Sequence, residues 1–321
     1  MIRFLVRRLS IGAAVVFGVV TLTFLLLHIA PGDPVERLIG PAATSAQIDA
    51  QRRALDLDRP LLAQYASWIG RFTVGDWGTS IARGRPVRQV IARAWPATVL
   101  LVGLSLSLSY VIGLFVGAVQ ANARGTRLDT TISVTTVAVY ALPGYWLGLM
   151  LVMVFTYWLR ILPAFGAAGL DADFVTGWPW VLDRLRHLAL PVATLTLIGI
   201  GGAARFVRGS MVDVLSQPYV VVARAKGLAA SRVTFHHVLR NALVPLVTLL
   251  GLSIPALFSG AVFVEAVFAW PGVGRVLVEA VQARDYPVVM AATAVSAILV
   301  VLGNLAADVL MTWVDPRVRH A

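Results

Sequence analysis

The chain has 321 residues, of which 58% are apolar and only 13% are charged, and its formal net charge is +11. A soluble domain of this size needs about a quarter of its residues charged, so the composition excludes an ordinary water-soluble protein. The apolar runs are too long for the alternating strands of a membrane barrel. Because backbone groups in lipid must satisfy one another, we predict an all-α, polytopic helical membrane protein.

Two absences narrow the chemistry further. The sequence contains no cysteine, which excludes a disulfide framework, a thiol nucleophile and a thiolate metal site. In a membrane protein, excess arginine is typical of cytoplasmic loops and of contacts with anionic lipid. No basic domain stands apart from the apolar segments, so we expect membrane lipid and no nucleic acid as a partner.

Six segments lack Asp, Glu, Lys and Arg over the length of a membrane-crossing helix, which is about 20 residues. They are residues 10–30, 97–119, 132–158, 188–204, 242–264 and 287–307. The first is too long for the core of a usual signal peptide, so we interpret it as an uncleaved span. In the third, Pro143 within "LPGYW" (142–146) predicts a kink or tilt.

Small residues within these segments predict close packing of the helices. Gly113 and Gly117 lie four residues apart in the second segment, and Gly199, Gly201 and Gly202 cluster in the fourth. Glycines at such spacing let helix backbones approach in a membrane. We therefore interpret them as packing positions, although glycines there could also line a pathway.

The distribution of Lys and Arg predicts the orientation. The segments 1–9, 120–131, 205–241 and 308–321 hold 13 basic residues, whereas the loops 159–187 and 265–286 hold 5. The loop 31–96 holds nine, but six carboxylates balance it and it is too long for the positive-inside rule. We therefore expect both termini to be cytoplasmic.

This topology divides the chain into regions. They are a cytoplasmic tip with the first transmembrane helix (1–30), an extracytoplasmic loop or cap (31–96), a transmembrane core (97–314) with a cytoplasmic loop (205–241) and an outer loop (265–286), and a cytoplasmic tail (315–321). Within the cap, residues 44–57 predict a short helix capped by Thr44 or Ser45. Residues 61–72 predict a second helix and 74–87 a turn-rich connection.

The cytoplasmic loop contains the most unusual segment, "VVVARAKGLAASRVTFHHVLRNALVP" (220–245), which is basic and has no carboxylate. Gly227 is placed to end a short helix as its left-handed cap, and Ser231 can begin an amphipathic second helix. Two simpler interpretations are a helix lying on anionic lipid and a topology signal alone. The glycine break favours instead a compact elbow that fits a pocket on another protein.

Residues 204–245 resemble the cytoplasmic coupling loop of bacterial ABC-importer permeases in the dipeptide/oligopeptide/nickel family. That version contains roughly Ala-Arg-Ala-Lys-Gly-Leu, followed by His-x-Leu-Arg-Asn-Ala-x-x-Pro. The generic motif has Glu-Ala-Ala where this chain has 221–223, so its Glu is missing. The resemblance continues through "PGDP" (31–34), "GRPV" (84–87), "PATVLL" (96–101), "FVEAVFAWPGVGRVLVEAVQARDYPVV" (263–289) and "DPRVR" (315–319). The ordered set covers essentially the whole chain.

The resemblance implies a six-helix type I importer permease in the bacterial inner membrane, with a loop that docks on a cytoplasmic ATPase. The residues implied in docking are Ala223, Arg224, Ala225, Lys226, Gly227, Leu228, Arg232, Leu239, Arg240 and Asn241. Candidates at the outer mouth are Trp270, Pro271, Gly272, Asp285 and Tyr286, although a packed loop is an equally good interpretation. The implied partners are a paralogous permease in a heterodimer, two ABC ATPase subunits or domains, and an extracytoplasmic substrate-binding protein.

The function implied is ATP-driven import of di- or oligopeptides. The sequence has no Walker motif, so we expect no catalytic residue and no bound cofactor in this chain, and ATP is used by the partner subunits. Nickel or a metal chelate is the alternative cargo. The absence of Cys and scarcity of His argue against a bare metal ion and a metal site, but not against a chelate. A channel or scaffold that needs no ATPase is the alternative from another class.

Overall fold

The computed structural model describes residues 2–29, 44–54, 57–169, 171–172, 174, 176–229, 232–233, 238, 249, 253 and 261–314. Across these residues the chain is almost entirely helical, and the one isolated β-bridge found there joins Thr79 and Pro86. The predicted all-α class is therefore confirmed. The helices are α1 (Ile2–Ile29), α2 (Ser45–Ala54), α3 (Leu61–Thr73), α4 (Val87–Asn122), α5 (Arg127–Ala141), α6 (Gly144–Val152), a π-helix (Met153–Trp158), α7 (Trp178–Leu215), α8 (Pro218–Ala225), α9 (Val273–Ala283) and α10 (Tyr286–Val314).

Four of these helices, α1, α4, α7 and α10, contain stretches long and apolar enough to cross a membrane. They match the first, second, fourth and sixth predicted segments. Helix α7 has 38 residues, which is about 57 Å at the α-helical rise and well beyond a hydrocarbon core of about 30 Å. The fifth predicted segment, 242–264, lies outside the described residues except for 249, 253 and 261–264.

The third predicted segment forms a broken helix. Helix α5 and the run from Gly144 to Trp158 are bent by 101° at the break. Pro143 disfavours helical geometry at the residue before it, and Leu142 is indeed extended, with φ −74° and ψ 138°. The predicted kink at this proline is confirmed. The second half then widens into the π-helix Met153–Trp158.

The chain forms two compact units. In one, which comprises residues 99–270 and those from 302 onward, α4 and α7 approach at Gly113 and Gly117. A Cβ added at Gly113 would lie 2.5 Å from Cβ of Ala203, and one added at Gly117 would lie 2.5 Å from the carbonyl oxygen of Ala204. We call this contact the glycine seam.

Other small residues of the same unit show how far the packing prediction holds. Gly199 abuts Ser109, and a Cβ at Gly201 would lie 2.8 Å from the carbonyl oxygen of Thr136. A Cβ at Gly202 would meet none of the described atoms within 4 Å. Close packing is therefore confirmed for Gly199 and Gly201, as it is for the seam glycines. Gly202 is not at a close contact between the described helices.

The other unit comprises residues 2–98 and 271–301. Its core packs the first turns of α4 against α9 and the start of α10, with Val87, Ile91, Val273, Val288 and Ala292 buried. A second cluster places Val20 and Phe24 of α1 against Met290 and Ala294 of α10. Because these contacts join segments far apart in the sequence, they fix the position of the turn-rich segment 74–87.

The predicted helices of this unit are also present. Helix α2 begins with a reciprocal cap: the amide of Gln47 donates to Thr44 Oγ1 at 3.4 Å, and the amide of Thr44 donates to Gln47 Oε1 at 2.9 Å. This pattern satisfies two amides that a helix start leaves unbonded, and it confirms Thr44 as the cap. Helix α3 confirms the second predicted helix, and Gly75, Gly78 and Gly84 with positive φ confirm the turns.

The glycine seam predicts opposite effects for one substitution at two places in α4. Alanine favours a helix over glycine by about 1 kcal/mol, so Gly103→Ala, in open space, should maintain or raise thermal stability. Gly117→Ala places a methyl group against the backbone of α7, and overpacking of this kind costs about 1–3 kcal/mol. Thermal unfolding of the detergent-solubilised variants measures the difference, and equal midpoints would show that the seam tolerates a methyl group.

Candidate functional site

The elbow, residues 218–241, begins with α8 and a tight helix end. The amide of Lys226 donates to the carbonyl of Val222 at 3.0 Å, and the amide of Leu228 donates to the carbonyl of Ala223 at 3.4 Å. Between them Gly227 has φ +74°, a left-handed conformation that is costly for residues with a Cβ. The bond from Leu228 to Ala223 is the long bond of a Schellman-type helix end, and together with the left-handed Gly227 it confirms the predicted helix end at this glycine.

One side of the elbow is anchored to the long helices. A buried apolar cluster, the anchor cluster, joins elbow residues to the ends of α4 and α7. Its members are Ala118 and Ala121 of α4, Val207 and Met211 of α7, and Val220, Ala223, Val233 and Val238 of the elbow. Five of them, Val207, Met211, Val220, Val233 and Val238, are at most 1% exposed. The elbow is therefore held by the helices that cross the membrane and would move with them.

The other side of the elbow is exposed on the surface of the chain. Ala225, Lys226, Gly227 and Arg232 are exposed, and Val222 is 52% exposed. A Cβ added at Gly227 would meet none of the described atoms within 4 Å. This side thus combines positive charge, an apolar group and open space over the helix end, which suits contact with an acidic or polar protein groove.

The residues predicted for docking separate into three sets. Ala225, Lys226, Gly227 and Arg232 lie on the exposed side, with Leu228 half-buried beside them. Ala223 lies in the anchor cluster and is 8% exposed, so the structure places it on the inner side. Leu239, Arg240, Asn241 and the side chain of Arg224 lie outside the described residues, and their docking role stays a prediction.

An ion pair beside the elbow was not predicted from the sequence. Asp129, near the start of α5, is 4% exposed. Its carboxylate accepts two hydrogen bonds from the Arg208 guanidinium group, one from Nε at 2.7 Å and one from a terminal nitrogen at 2.6 Å. The amide of Gly125 donates to the same carboxylate at 3.1 Å. Such a two-pronged pair fixes direction as well as distance, so it holds the start of α5 against α7. In the structure Thr126 caps this helix by accepting a hydrogen bond from the amide of Asp129, but Arg208 lies 79 residues away, so no local pattern pairs it with Asp129.

Residues proposed for the outer mouth are mostly buried in the fold. Trp270 is 4% exposed and Asp285 is 1% exposed. The carboxylate of Asp285 accepts hydrogen bonds from the Ser80 hydroxyl and from the amides of Ile81 and Ala82, the latter two at 3.1 Å. The role of Asp285 in this structure is thus to hold the loop around residue 81. A role in contacting a partner stays a prediction.

The remaining outer-mouth candidates differ in exposure. Tyr286 is half-buried, and its ring lies 5.5 Å from that of His28. Pro271 is exposed and Gly272 is buried, and both line an open cleft of about 580 Å³. Four arginine side chains are among the described residues that line this cleft, and no sequence pattern had grouped them. Within the part of the chain that the structure describes, no group of three His, Asp or Glu side chains could hold a metal ion.

Two family models match the chain in succession. The model described as "Binding-protein-dependent transport system inner membrane component" matches residues 109–320. The model of the corresponding N-terminal region matches residues 1–102. Together they account for both units of the fold, including the elbow and the outer segment.

Individual relatives are similar over their whole length. The "Oligopeptide transport system permease protein AppB" of Bacillus subtilis is 39% identical, with 100% of both chains covered. The "Di/tripeptide transport system permease protein DppB" of Pseudomonas aeruginosa is 37% identical over 100% of this chain and 99% of its own. The "Dipeptide transport system permease protein DppB" of Escherichia coli K12 is 35% identical with the same coverage.

A solved structure shares the fold. It is described as an inward-facing conformation of the MetNI methionine ABC transporter, and the superposition has a TM-score of 0.56 over 72% of this chain and 98% of the other. Sequence identity is 18%, so this likeness concerns the fold alone.

The anchoring of the elbow predicts a difference between two neighbouring valines of α8. Val220 is fully buried and Val222 is 52% exposed. Val220→Ala leaves a cavity in the anchor cluster and should lower the unfolding free energy by about 1–3 kcal/mol, whereas Val222→Ala should leave it nearly unchanged. Thermal unfolding in detergent checks both, and equal losses would contradict a one-sided anchor.

Proposed function

Since the chain belongs to the family of inner membrane components of binding-protein-dependent transport systems, we propose that it is a permease subunit of an ATP-driven importer of short peptides. The observation that carries this proposal is the elbow. Its apolar side is buried against α4 and α7, and its basic side is left exposed. That arrangement suits a protein that must transmit a push from a cytoplasmic partner to its membrane helices.

The anchor cluster explains how the motion would be transmitted. Val233 and Val238 from beyond Gly227 and Val220 from before it pack against the same two helices. The left-handed turn at Gly227 sets the angle between the two arms. Packed elements move as rigid bodies rather than deforming continuously, so closure of an ATPase pair would displace α4 and α7 with the elbow.

Charge on the exposed side defines the chemistry of that partner. Lys226 and Arg232 are exposed, and the segment 220–245 contains no carboxylate. Complementary charge raises the association rate and selects the partner. We therefore expect a groove on the ATPase that carries carboxylates or carbonyl oxygens opposite these cations.

Peptides are the cargo that the relatives favour. The permeases of Bacillus subtilis, Pseudomonas aeruginosa and Escherichia coli described above carry names that specify oligopeptides, di- or tripeptides and dipeptides. Those names favour a peptide cargo over nickel or a nickel chelate.

The assembly we propose has four kinds of subunit. This chain forms half of the pathway, a second permease of similar fold forms the other half, two ATPase subunits bind the elbows and use the ATP, and an extracytoplasmic protein delivers the peptide. Both termini and the elbow lie in the cytoplasm, as the excess of Lys and Arg in the segments 1–9 and 205–241 indicates. A channel or scaffold without an ATPase would leave the shape of the elbow unexplained.

Copurification tests the assembly. The tagged chain is extracted from its native membrane in mild detergent, and the proteins that accompany it are identified by mass spectrometry. We expect a second permease, ATPase subunits and ATP hydrolysis in the fraction, and binding assays on the accompanying binding protein with dipeptides and nickel then identify the cargo. Recovery of the chain alone, without hydrolysis, would contradict the proposal.

Substitution of Gly227 tests docking itself. Gly227→Trp places a large ring where the described atoms leave open space, so the chain should still insert and fold, with a backbone cost of about 1–2 kcal/mol. The ring should block the ATPase groove and abolish peptide uptake and ATPase copurification. Normal uptake in this variant would show that no partner closes on Gly227.

Gly227→Asn is the matched control, because asparagine accepts the left-handed conformation better than other residues do. It should maintain the helix end with much less bulk and preserve most of the uptake. Equal loss in both variants would assign the effect to the backbone rather than to steric exclusion of a partner.

A further inference from the structure

Four arginines from three chain segments meet around the open cleft near Pro271. Arg83 and Arg85 come from the loop before α4, Arg93 from α4, and Arg275 from α9. The lining residues Val90, Ala94 and Val276 are buried, whereas Arg83, Arg85 and Arg93 are exposed and Arg275 is partly so. The arginine side chains are therefore on the solvent-exposed side of the cleft, and apolar residues form its buried floor. We call this surface the arginine cleft.

The arginine cleft has more positive charge than its own carboxylate balances. Glu279 bridges two of the arginines: its Oε1 accepts from Nε of Arg275 at 2.7 Å, and its Oε2 pairs with Arg83. No ion pair joins the side chain of Arg85 or Arg93 to any of the described residues. The described residues that line the cleft contribute one carboxylate and four guanidinium groups, which is a net charge of +3.

The arginines are also held in place before any partner binds. Asp285 fixes the loop through Ser80, Ile81 and Ala82, and the amide of Ser80 donates to the carbonyl of Arg85 at 2.8 Å. Arg93 lies on the exposed face of α4, whose buried residues Val90, Ile91 and Ala94 pack in the core with α9 and α10. A surface whose backbone is already fixed loses less entropy on binding.

The charge of this surface is not a topology signal. Three of its arginines belong to the loop 31–96, which is too long for the positive-inside rule to apply, so the rule neither requires nor disfavours them. Of the described residues that line the cleft, Glu279 is the one carboxylate. A counter-charge supplied by a partner would balance the remaining arginines.

We propose that the arginine cleft is the docking surface for carboxylate side chains on the extracytoplasmic binding protein. This inference rests on the proposed function and its orientation. A protein surface fits better than a small ligand, because pockets for small molecules enclose most of the ligand and are mainly apolar, whereas these charges are exposed. The planar guanidinium groups bind carboxylates in a directional, two-pronged way, so they would set the orientation of the docked protein.

The test is charge reversal in the assembled transporter. The full complex, with Arg85→Glu and Arg93→Glu in this chain, is placed in lipid nanodiscs, and the affinity of the binding protein recovered by copurification is measured at low and high salt. We expect the dissociation constant to rise by about tenfold or more at low salt and the difference to shrink at high salt. Restoration by Asp→Lys or Glu→Lys on the binding protein would identify the opposing carboxylates.

Arg88→Glu is the matched control, because Arg88 is exposed on the same helix but does not line the cleft. This substitution changes the charge of the chain by the same amount as each Arg→Glu substitution in the cleft. It should raise the dissociation constant of the binding protein by less than about twofold. Equal effects at Arg88 and in the cleft, or no effect in the cleft, would overturn the proposal. If the double variant fails to assemble, Arg85→Gln with Arg93→Gln tests the same surface with a smaller expected rise.

Two other occupants are separate outcomes of this experiment. If the double variant loses affinity for free dialanine but not for the binding protein, the arginine cleft is a site for soluble carboxylates and the proposal fails. If the variant matters only in nanodiscs that contain phosphatidylglycerol, the cleft binds lipid and the proposal also fails. Loss of ATPase association in the wild type would instead refute the proposed function itself, so the two failures are distinguishable.

Discussion

The close approach of α4 and α7 at the glycine seam is the contact on which the position of the elbow depends. Gly113 lies against Cβ of Ala203 and Gly117 against the carbonyl oxygen of Ala204, so closely that a Cβ at either glycine would force its neighbour to shift. Next to the seam, Ala118 and Ala121 with Val207 and Met211 form the base of the anchor cluster. Because a packed interior transmits displacement rather than absorbing it, the seam would, under the proposed function, couple movement of the elbow to movement of both helices.

The sequence was sufficient for features that depend on local chemistry. The helix end at Gly227, the Thr44 cap and the break at Pro143 each follow from one residue type and its neighbours, and each is present in the structure. The seam was also predictable, because small residues four apart indicate close packing. The helix that packs against these glycines was not predictable, since the spacing of residues within α4 does not indicate which helix lies next to it.

Contacts between residues far apart in the sequence could not be predicted from local sequence patterns. Asp129 and Arg208 are separated by 79 residues and Ser80 and Asp285 by 205, and nothing in the local sequence of either carboxylate indicates its partner. Asp285 illustrates the consequence. A carboxylate in an outer loop suggested contact with a partner, whereas in the fold it is buried and binds backbone amides, as buried charges generally must be satisfied.

The two basic surfaces are built by the same physical strategy with different means. In the elbow, apolar burial of Val220, Val233 and Val238 fixes the backbone and leaves Lys226 and Arg232 exposed. In the arginine cleft, the buried carboxylate of Asp285 fixes the loop and leaves Arg83 and Arg85 exposed. The charged ends of these long side chains stay hydrated until a partner binds. The backbone beneath them is already ordered by folding, so binding costs less conformational entropy. Under the two proposals, charge at each surface would therefore govern the choice of partner, and the buried contacts beneath it would govern how binding is transmitted to the helices.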